Sequence, residues 1–515
     1  MGLQRLLTRK LVKYVDKFLK KGLENPIKTQ EELFCDIIKR NIATNFGKKH
    51  NFDQIHSIKD YQKYCKPQGY EYFEPYINKI LEGNTKASFN ANLVCFGQTP
   101  GTAGKNKIIP VVQNSFTSAS IAQGRIFSSY IAENPSQNSR LVEGVTCFFS
   151  AYPILKVVEI NNKSYNIGYG TGIFSYPILY NFSHIWKILF RSKMFVPIEL
   201  NIITDLNKKY QYLTRECTKK NITCFSGIPP IIVNYLEKIL EYSDINADYI
   251  AELFPNLQLL NFGGVNPVFY EKRIADIVGH PVDYREMYAA TEAIVGYQLG
   301  SEPLILTPAL DANFFEFIPI ENTDKACTIA DVKKNKQYYV LITTYNGFYR
   351  YKLGDIIEFK STDPPLFKFI NRENAANVMD EKMTLDQVSA AIRNTFNYFN
   401  IIIRDFSLVS DKKNDRYVII IEFKNDHDSS FYQKFIKKLD EYLCDSNQAY
   451  GYFRNNVKII KPPELRVTKQ NAFEEVEKER VIDGQPRHQM KILQVSDDKN
   501  IMKEFEDKIV ETVTF

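Results

Sequence analysis

Apolar positions along the chain follow two rhythms. Spacings of three and four predict helices and turns through residues 30–82, ending in "YEYFEPYINKILEGN", and further helices over Asn114–Ala132 and Pro229–Tyr242. Short apolar runs bounded by Gly, Pro and Asn predict strands at "ANLVCF", "VTCFFSAYP", "LQLLNFGG", "PVDYREMYAATE" and "YYVLITTYNGFYRYKLGD". This mixed order, free of internal repeats, predicts an α/β domain of layered sheets and helices over residues 1–372. Beyond residue 372 the pattern changes to a strand pair ("NIIIRDFSLVS", "DRYVIIIEF"), a polar helix near 430–443 and a strand in "NNVKIIKPPELRVTK". That is the pattern of a smaller α+β domain, residues 373–515, of ordinary domain size. The polar stretch "FINRENAANVMDEKMT" supplies a short hinge at about 371–384.

The N-terminus, "MGLQRLLTRKLVKYVDKFLKK", has its own periodicity. Leu3, Leu6, Leu7, Leu11, Tyr14, Val15, Phe18 and Leu19 recur at helical spacing among Arg5, Arg9, Lys10, Lys13, Lys17 and Lys20. The stripe is expected to dock on the protein's own body. Weak peripheral contact with an anionic membrane is the alternative such a basic amphipathic helix leaves open. The segment lacks the apolar core of a signal peptide, and Leu at position 6 argues against myristoylation of Gly2. No run approaches the roughly 20 apolar residues of an integral membrane segment.

Composition narrows the class. The 515 residues are 44% hydrophobic and 24% charged, as in globular proteins of more than one domain. A net charge of +6 favours an anionic ligand slightly and does not argue for nucleic acid. The eight cysteines form no C-x-x-C pair and the six histidines no metal-binding pattern. This usage fits a reducing, cytoplasmic compartment without structural zinc. A monomer is expected.

Three segments carry candidate chemistry. "FGQTPGTAGKNKIIP", residues 96–110, has the glycines, hydroxyls and lysines of a phosphate loop but matches no ordinary nucleotide signature. Gly104-Lys105 is followed by Asn106, where a P-loop needs Ser or Thr, and the glycines at 97, 101 and 104 do not have the dinucleotide spacing. Between an apolar strand and a helix starting near Asn114, its backbone N–H groups could converge on phosphate, helped by Thr99, Thr102, Lys105 and Lys107. In "MYAATEAIVGYQ", Thr291 and Glu292 lie in a small, apolar stretch, where a charged glutamate needs a cation or a donor. Nucleotide-held magnesium is such a cation, and a buried salt bridge is the structural alternative. In "YRYKLGDIIEF", Gly354-Asp355 reads as a tight turn whose aspartate could accept ribose hydroxyls or simply shape a hairpin.

In this order and at these separations the segments resemble the adenylate-forming superfamily of acyl-CoA synthetases, luciferases and peptide-synthetase adenylation domains. Within it they most resemble the auxin-responsive Gretchen Hagen family of acyl acid amido synthetases, found in plants and bacteria. The similarity runs from about Gln30 to Leu493 and includes "YFEPYINKILEGN", "TPGTAGKNKIIP", "YAATE", "YRYKLGD" and "PPELRVTKQNAFEEV". The resemblance implies an ATP- and Mg2+-dependent ligase joining a carboxylic acid to an amino acid, with a large ATP- and acyl-binding domain and a small mobile lid. It places Thr99, Gly101, Thr102, Gly104 and Lys107 around the ATP phosphates, and Gly263, Gly264 and Val265 along the adenine with Tyr288 on its face. It assigns Thr291 to the nucleotide site, Glu292 to magnesium, Asp355 to the ribose, Arg372 and Lys382 to the hinge, and Lys491 to the lid lysine that enters the site. "GYGTGIFSY", residues 168–176, is a candidate wall of the acid pocket.

Departures from the family pattern define the alternatives. Pro100 and Ala103 remove two hydroxyls from the phosphate loop, and proline also removes a backbone N–H. Lys491 is followed by Ile-Leu rather than the family's Thr-Pro-Arg. An acyl-CoA synthetase and a non-catalytic nucleotide- or acyl-binding relative are therefore carried beside the amido synthetase.

Overall fold

The structure, a computed structural model, describes residues 12–99, 107–150, 153–175, 194–201, 203, 205–264, 267–323, 325–372, 376, 378, 381, 383–482 and 494–515. The chain forms two compact units, Met1–Leu353 with Ile357–Lys368, and Gly354–Ile356 with Phe369–Phe515.

Three sheets frame the first unit. The first has the order β2-β1-β5-β4, from β1 (Leu93–Thr99), β2 (Lys107–Val112), β4 (Lys156–Ile160) and β5 (Lys163–Tyr169). β1 and β2 form an antiparallel hairpin, and β1 runs parallel to β5. The second joins β3 (Val145–Phe148), β6 (Met194–Phe195), β7 (Ile222–Gly227), β8 (Leu259–Gly263), β9 (Asp283–Ala289), β10 (Ile294–Tyr297) and β11 (Thr307–Pro308) in the order β11-β10-β9-β8-β7-β3-β6. Its strands are parallel from β9 to β6, with β10 and β11 added antiparallel. The third runs β12-β13-β14-β15: Phe314–Pro319, Gln337–Thr343, Tyr351–Thr362 and Pro365–Arg372.

Strand alternation explains why the second sheet is covered on both faces. Cys147, Phe225, Leu260 and Phe262 point into a core closed by the helices Leu206–Thr218, Pro229–Glu241 and Glu271–Val278. Cys224 and Leu259 point the other way, against Tyr130 and Ile131 of the helix Gln113–Glu133, whose Ala122 and Ile126 also cover Ile294 and Tyr297. The largest core joins the helices Pro26–Asn41 and Tyr70–Leu81 to β1, β2 and the third sheet through Phe34, Phe73, Phe96, Ile109, Phe314 and Phe359.

Of the N-terminal stripe, Leu3, Leu6, Leu7 and Leu11 lie outside the described residues, and the rest docks only in part. Val12 is buried and Leu19 half-buried, whereas Tyr14, Val15 and Phe18 are exposed. Polar contacts set this orientation. Asp16 Oδ1 accepts hydrogen bonds from Ser128 and Ser129 at 2.8 and 3.0 Å, and the Leu19 carbonyl accepts one from Arg125 at 2.7 Å.

The second unit holds a five-stranded sheet in the order β19-β16-β17-β18-β20: Val495–Ser496, Ile403–Asp411, Arg416–Phe423, Glu464–Thr468 and Ile509–Val513. Phe423 meets Phe431, Tyr432 and Phe435 of the helix Ser429–Ser446. The opposite face, with Val409, Val418 and Ile420, buries Phe473, Val476, Ile501 and Phe505. The described part of the hinge stretch is wired into this unit. Ala376 and Met383 form a β-bridge, Tyr417 donates to the Glu381 carboxylate, and Asn447 donates to the Glu381 carbonyl at 3.0 Å.

Among the described residues no helix is long and apolar enough to cross a membrane. All eight cysteines are free.

Candidate active site

The loop of residues 100–106 joins the two strands of a β-hairpin. Thr99 and Lys107 are cross-strand partners at its neck, while Gly101, Thr102 and Gly104, with Pro100 and Ala103, lie outside the described residues. The expectation of a loop leading into a helix is corrected here. "KIIPVV" is a strand whose Ile109, Val111 and Val112 are fully buried, and the helix begins only at Gln113. A strand therefore stands between residues 100–106 and the helix that follows them in the chain. Lys107 lies over Tyr70, its Nζ 5.3 Å from the ring centre. The Tyr70 hydroxyl accepts from the Ile108 N–H at 2.9 Å and donates to the Ile108 carbonyl at 3.0 Å, which fixes the start of β2. Burial pushes this phenol up to about 12; the Ile108 bond opposes the shift and the charges of Glu74, Glu292 and Glu71 add to it.

Thr291 and Glu292 form the two-residue tip between β9 and β10. Ala290 and Ala293 close it by exchanging N–H···O bonds of 2.8 and 3.2 Å. The tip rests on two glycines from distant parts of the chain. A Cβ at Gly97 of β1 would stand 2.2 Å from Thr291 Cγ2, and one at Gly170, the first residue of the helix Gly170–Ser175, 2.7 Å from Thr291 Oγ1. Only glycine admits this approach without displacement. From the other side Asn346 donates to the carbonyls of Pro110 in β2 and Glu292 in the tip, at 3.0 and 3.2 Å. The tip is thus packed on β1 and tied through Asn346 to β2, the two strands that flank residues 100–106.

The Glu292 carboxylate has a dedicated donor. Tyr351, buried at the start of β14, donates to Glu292 Oε1 at 3.0 Å. Burial and the glutamate's charge hold the Tyr351 phenol far above its ordinary range, so it remains a donor. The preceding Arg350 is buried with φ 49°, a left-handed conformation uncommon for a residue with a side chain. It is held by Glu316 at 2.8 Å and by the Cys65 carbonyl at 2.8 Å. Burial raises the Glu316 carboxyl despite the adjacent guanidinium.

The parallel strands supply a further wall. Gly263, at the end of β8, pairs with Met287, so Tyr288 is the next residue on the neighbouring strand. The Tyr288 ring stands 6.2 Å from Phe367 in an edge contact. Gly264 leaves the strand with φ +81°, a conformation glycine adopts without strain, and Val265 lies outside the described residues. This is the carboxyl end of parallel strands, where open α/β sheets bind ligands. In the first sheet Gly168 of β5 pairs with Gly97 of β1. A side chain there would meet the Pro153 carbonyl at 1.8 Å.

Asp355 is not in a turn. Gly354 and Asp355 belong to the continuous strand β14, which passes them because Gly354 takes φ +76°. Asp355 is buried and groups with the second unit, as does Arg372 at the end of β15. Lys382 and Lys491 lie outside the described residues. Within the first unit, then, Thr99, Lys107, Thr291 and Glu292 are linked through β1, β2 and the hairpin tip, with Tyr288 on β9, which leads to the tip, and Gly263 on the neighbouring β8. Sequence reading missed Tyr70, Asn346 and Tyr351 as supports. Tyr351 stands within a motif already singled out; nothing in its spacing points Asn346 at the tip.

Solved structures share this fold. 2-Hydroxyisobutyryl-CoA ligase in the postadenylation state with 2-HIB-AMP matches at a TM-score of 0.60 and 12% identity, over 96% of this chain and 91% of its own. The GH3.15 acyl acid amido synthetase matches at 0.77 and 17% identity over 96% of each chain. Sequence models of the GH3 family N-terminal, central and C-terminal domains match residues 15–150, 306–372 and 386–500. The chain belongs to the GH3 family. Among curated relatives, indole-3-acetic acid-amido synthetase GH3.2 of Arabidopsis thaliana is 21% identical over 444 residues, 74% of this chain and 81% of its own length. Jasmonoyl–L-amino acid synthetase GH3.5 of Oryza sativa subsp. japonica is 26% identical over 258 residues, 44% of this chain and 43% of its own.

Proposed function

We propose that the protein activates a carboxylic acid with ATP as an acyl-adenylate and transfers the acyl group to the amine of an amino acid, as a cytoplasmic monomer. Family membership supports the reaction class. The observation that carries the reading to this site is the Thr291–Glu292 tip, seated on Gly97 and Gly170 and bonded to Tyr351.

A carboxylate oxygen attacks the α-phosphorus, pyrophosphate leaves, and a mixed anhydride forms. Negative charge grows between acid and α-phosphate in that step, so preorganised donors and cations there lower the barrier. In the proposed site the loop between Thr99 and Lys107 takes the ATP phosphates, using Gly101, Thr102 and Gly104. Gly263, Gly264, Val265 and Tyr288 take the adenine, and Asp355 the ribose. Thr291 positions phosphate beside the carboxylate of Glu292. Arg372 and Lys382 stand at the hinge, and Lys491 is the lysine that the second unit brings to the α-phosphate. The amine nitrogen then attacks the acyl carbon, AMP leaves, and the ammonium proton is lost to give the amide.

Among the described residues no group of three His, Cys, Asp or Glu side chains could cage a metal ion. A lone glutamate at the tip fits magnesium, which takes one or two carboxylates and completes its shell with phosphate oxygens and water. When bound there it would neutralise charge on the phosphates.

Carboxylate-dependent ATP–pyrophosphate exchange across a panel of acids tests the first half-reaction. Addition of amino acids, or of CoA, tests the second. Exchange followed by amide formation is expected. Thioester formation with no amide would replace the reading by an acyl-CoA synthetase, and absence of ATP binding would leave the non-catalytic relative.

A further inference from the structure

The helix at residues 12–20 is pinned along one side and bare along the other. Val12 is buried beside Tyr130, Ile131 and Leu141. Asp16 is taken up by Ser128, Ser129 and, at 2.7 Å, its own helix's Lys20. The Leu19 side chain lies close on Gly124, where a Cβ would stand 3.3 Å away. Arg125, which binds the Leu19 carbonyl, is itself fixed by a two-pronged ion pair with Asp311 at 2.8 and 2.5 Å and by the Tyr297 hydroxyl. The helix is therefore part of the body of the first unit.

Its outward face is unusual for such a fixed element. Tyr14 and Phe18 are each 75% exposed and Val15 48%. At about 100° per residue, Tyr14 and Phe18 lie within about 40° of each other, away from Val12, Asp16 and Leu19. Lys13 and Lys17 run along their flank, and Lys21 follows immediately; all three are exposed. Single apolar residues on a surface need no explanation. Two aromatics and a valine beside a row of lysines, on a helix whose one acid is turned inward, have the composition of helices that lie in a lipid interface.

We propose that this face seats the protein peripherally on an anionic bilayer, Tyr14 and Phe18 entering the headgroup–acyl boundary and Lys13, Lys17 and Lys21 meeting lipid phosphates. Charge selects the occupant, since the exposed side offers cations with no facing carboxylate from its own helix. The contact is an attachment rather than a span.

Co-sedimentation of the full chain with vesicles tests it. Binding is expected to phosphatidylcholine vesicles containing phosphatidylglycerol, not to phosphatidylcholine alone, and should weaken with salt. Each lysine near such a surface strengthens partitioning about fivefold. Lys13→Gln/Lys17→Gln/Lys21→Gln should therefore weaken it about a hundredfold, and Tyr14→Ser/Phe18→Ser should abolish it. Both variants should keep the wild-type melting temperature, because these side chains support nothing beneath them. No binding to anionic vesicles, or equal binding by the variants, would overturn the proposal. So would light scattering that shows a wild-type dimer made monomeric by Phe18→Ser, which would mark the face as a contact between copies.

Discussion

Gly97→Ala tests whether the seat of the hairpin tip matters to chemistry. The added methyl would stand 2.2 Å from Thr291 Cγ2, with Val111 Cγ2 at 3.6 Å behind it. Ordinary contact begins near 3.4 Å, so the tip must lift by about 1.2 Å. Gly97 lies in β1 without a positive φ, so alanine strains no backbone. Overpacking of this kind destabilises by about 1–3 kcal/mol, which leaves a folded protein. A displacement of about 1 Å in a positioning element slows reaction on the order of a hundredfold. Carboxylate-dependent ATP–pyrophosphate exchange should fall by that factor while the melting transition moves little. Thr291→Ser in the same background removes the clashing Cγ2 and keeps the Oγ1 that faces Gly170. The double variant should therefore recover most of the loss, a coupling that independent sites would not show. Full activity of Gly97→Ala, or no recovery in the double variant, would refute the idea that the Thr291–Glu292 tip is positioned through β1.

Glu292→Gln should keep the fold and lose about 3 kcal/mol of transition-state stabilisation, a hundredfold or more in exchange rate; wild-type exchange would remove the metal role. Asp355→Ala should weaken ATP far more than 2′,3′-dideoxy-ATP, which already lacks the hydroxyl partners, and equal losses would show that the aspartate serves only its strand. At high pH the protein should unfold cooperatively. Burial pushes the phenols of Tyr70 and Tyr169 up to about 12, while in the unfolded chain they ionise near 10. Between those values the unfolded state holds fewer protons, so each tyrosine removes about 2–3 kcal/mol of stability as pH rises from about 10 to 12. Tyrosine absorbance should rise together with loss of circular dichroism, and phenolate formation in a still-folded protein would contradict the burial argument.

Much of the architecture was legible because periodicity reports burial directly. The runs around Val94, Cys147, Leu260 and Met287 became strands, and Asn114–Ala132 and Pro229–Tyr242 became helices to within a residue or two. The errors share a cause. "KIIPVV" is too short to display a period, and its strand identity comes from pairing with β1. Gly354-Asp355 has turn chemistry, yet it lies within the continuous strand β14, where the glycine's left-handed φ lets the chain continue rather than reverse. At the N-terminus the apolar stripe was visible. Its docking was decided instead by a carboxylate meeting two serines, a contact without a pattern in either segment.

The candidate site divides along the same line. Residues proposed to touch a nucleotide, such as Thr99, Lys107, Thr291 and Glu292, stand out in the sequence because their types fall within short motifs. Residues that hold those motifs together are restricted only by what lies opposite them in space. Gly97 and Gly170 must be glycine because Thr291 occupies the place of their side chains. Asn346 must reach two carbonyls belonging to Pro110 and Glu292, segments almost two hundred residues apart. Tyr351 is buried so that its proton stays in place beside a carboxylate. Such supports should tolerate less change than their plain appearance suggests, since a glycine that gains one methyl shifts a threonine nearly two hundred residues away. The segment proposed to hold phosphate stands at the opposite extreme. Its flanking strands are held by the pairing of Thr99 with Lys107 and by Tyr70 on Ile108, so changes confined to residues 100–106 are expected to leave these strands in place.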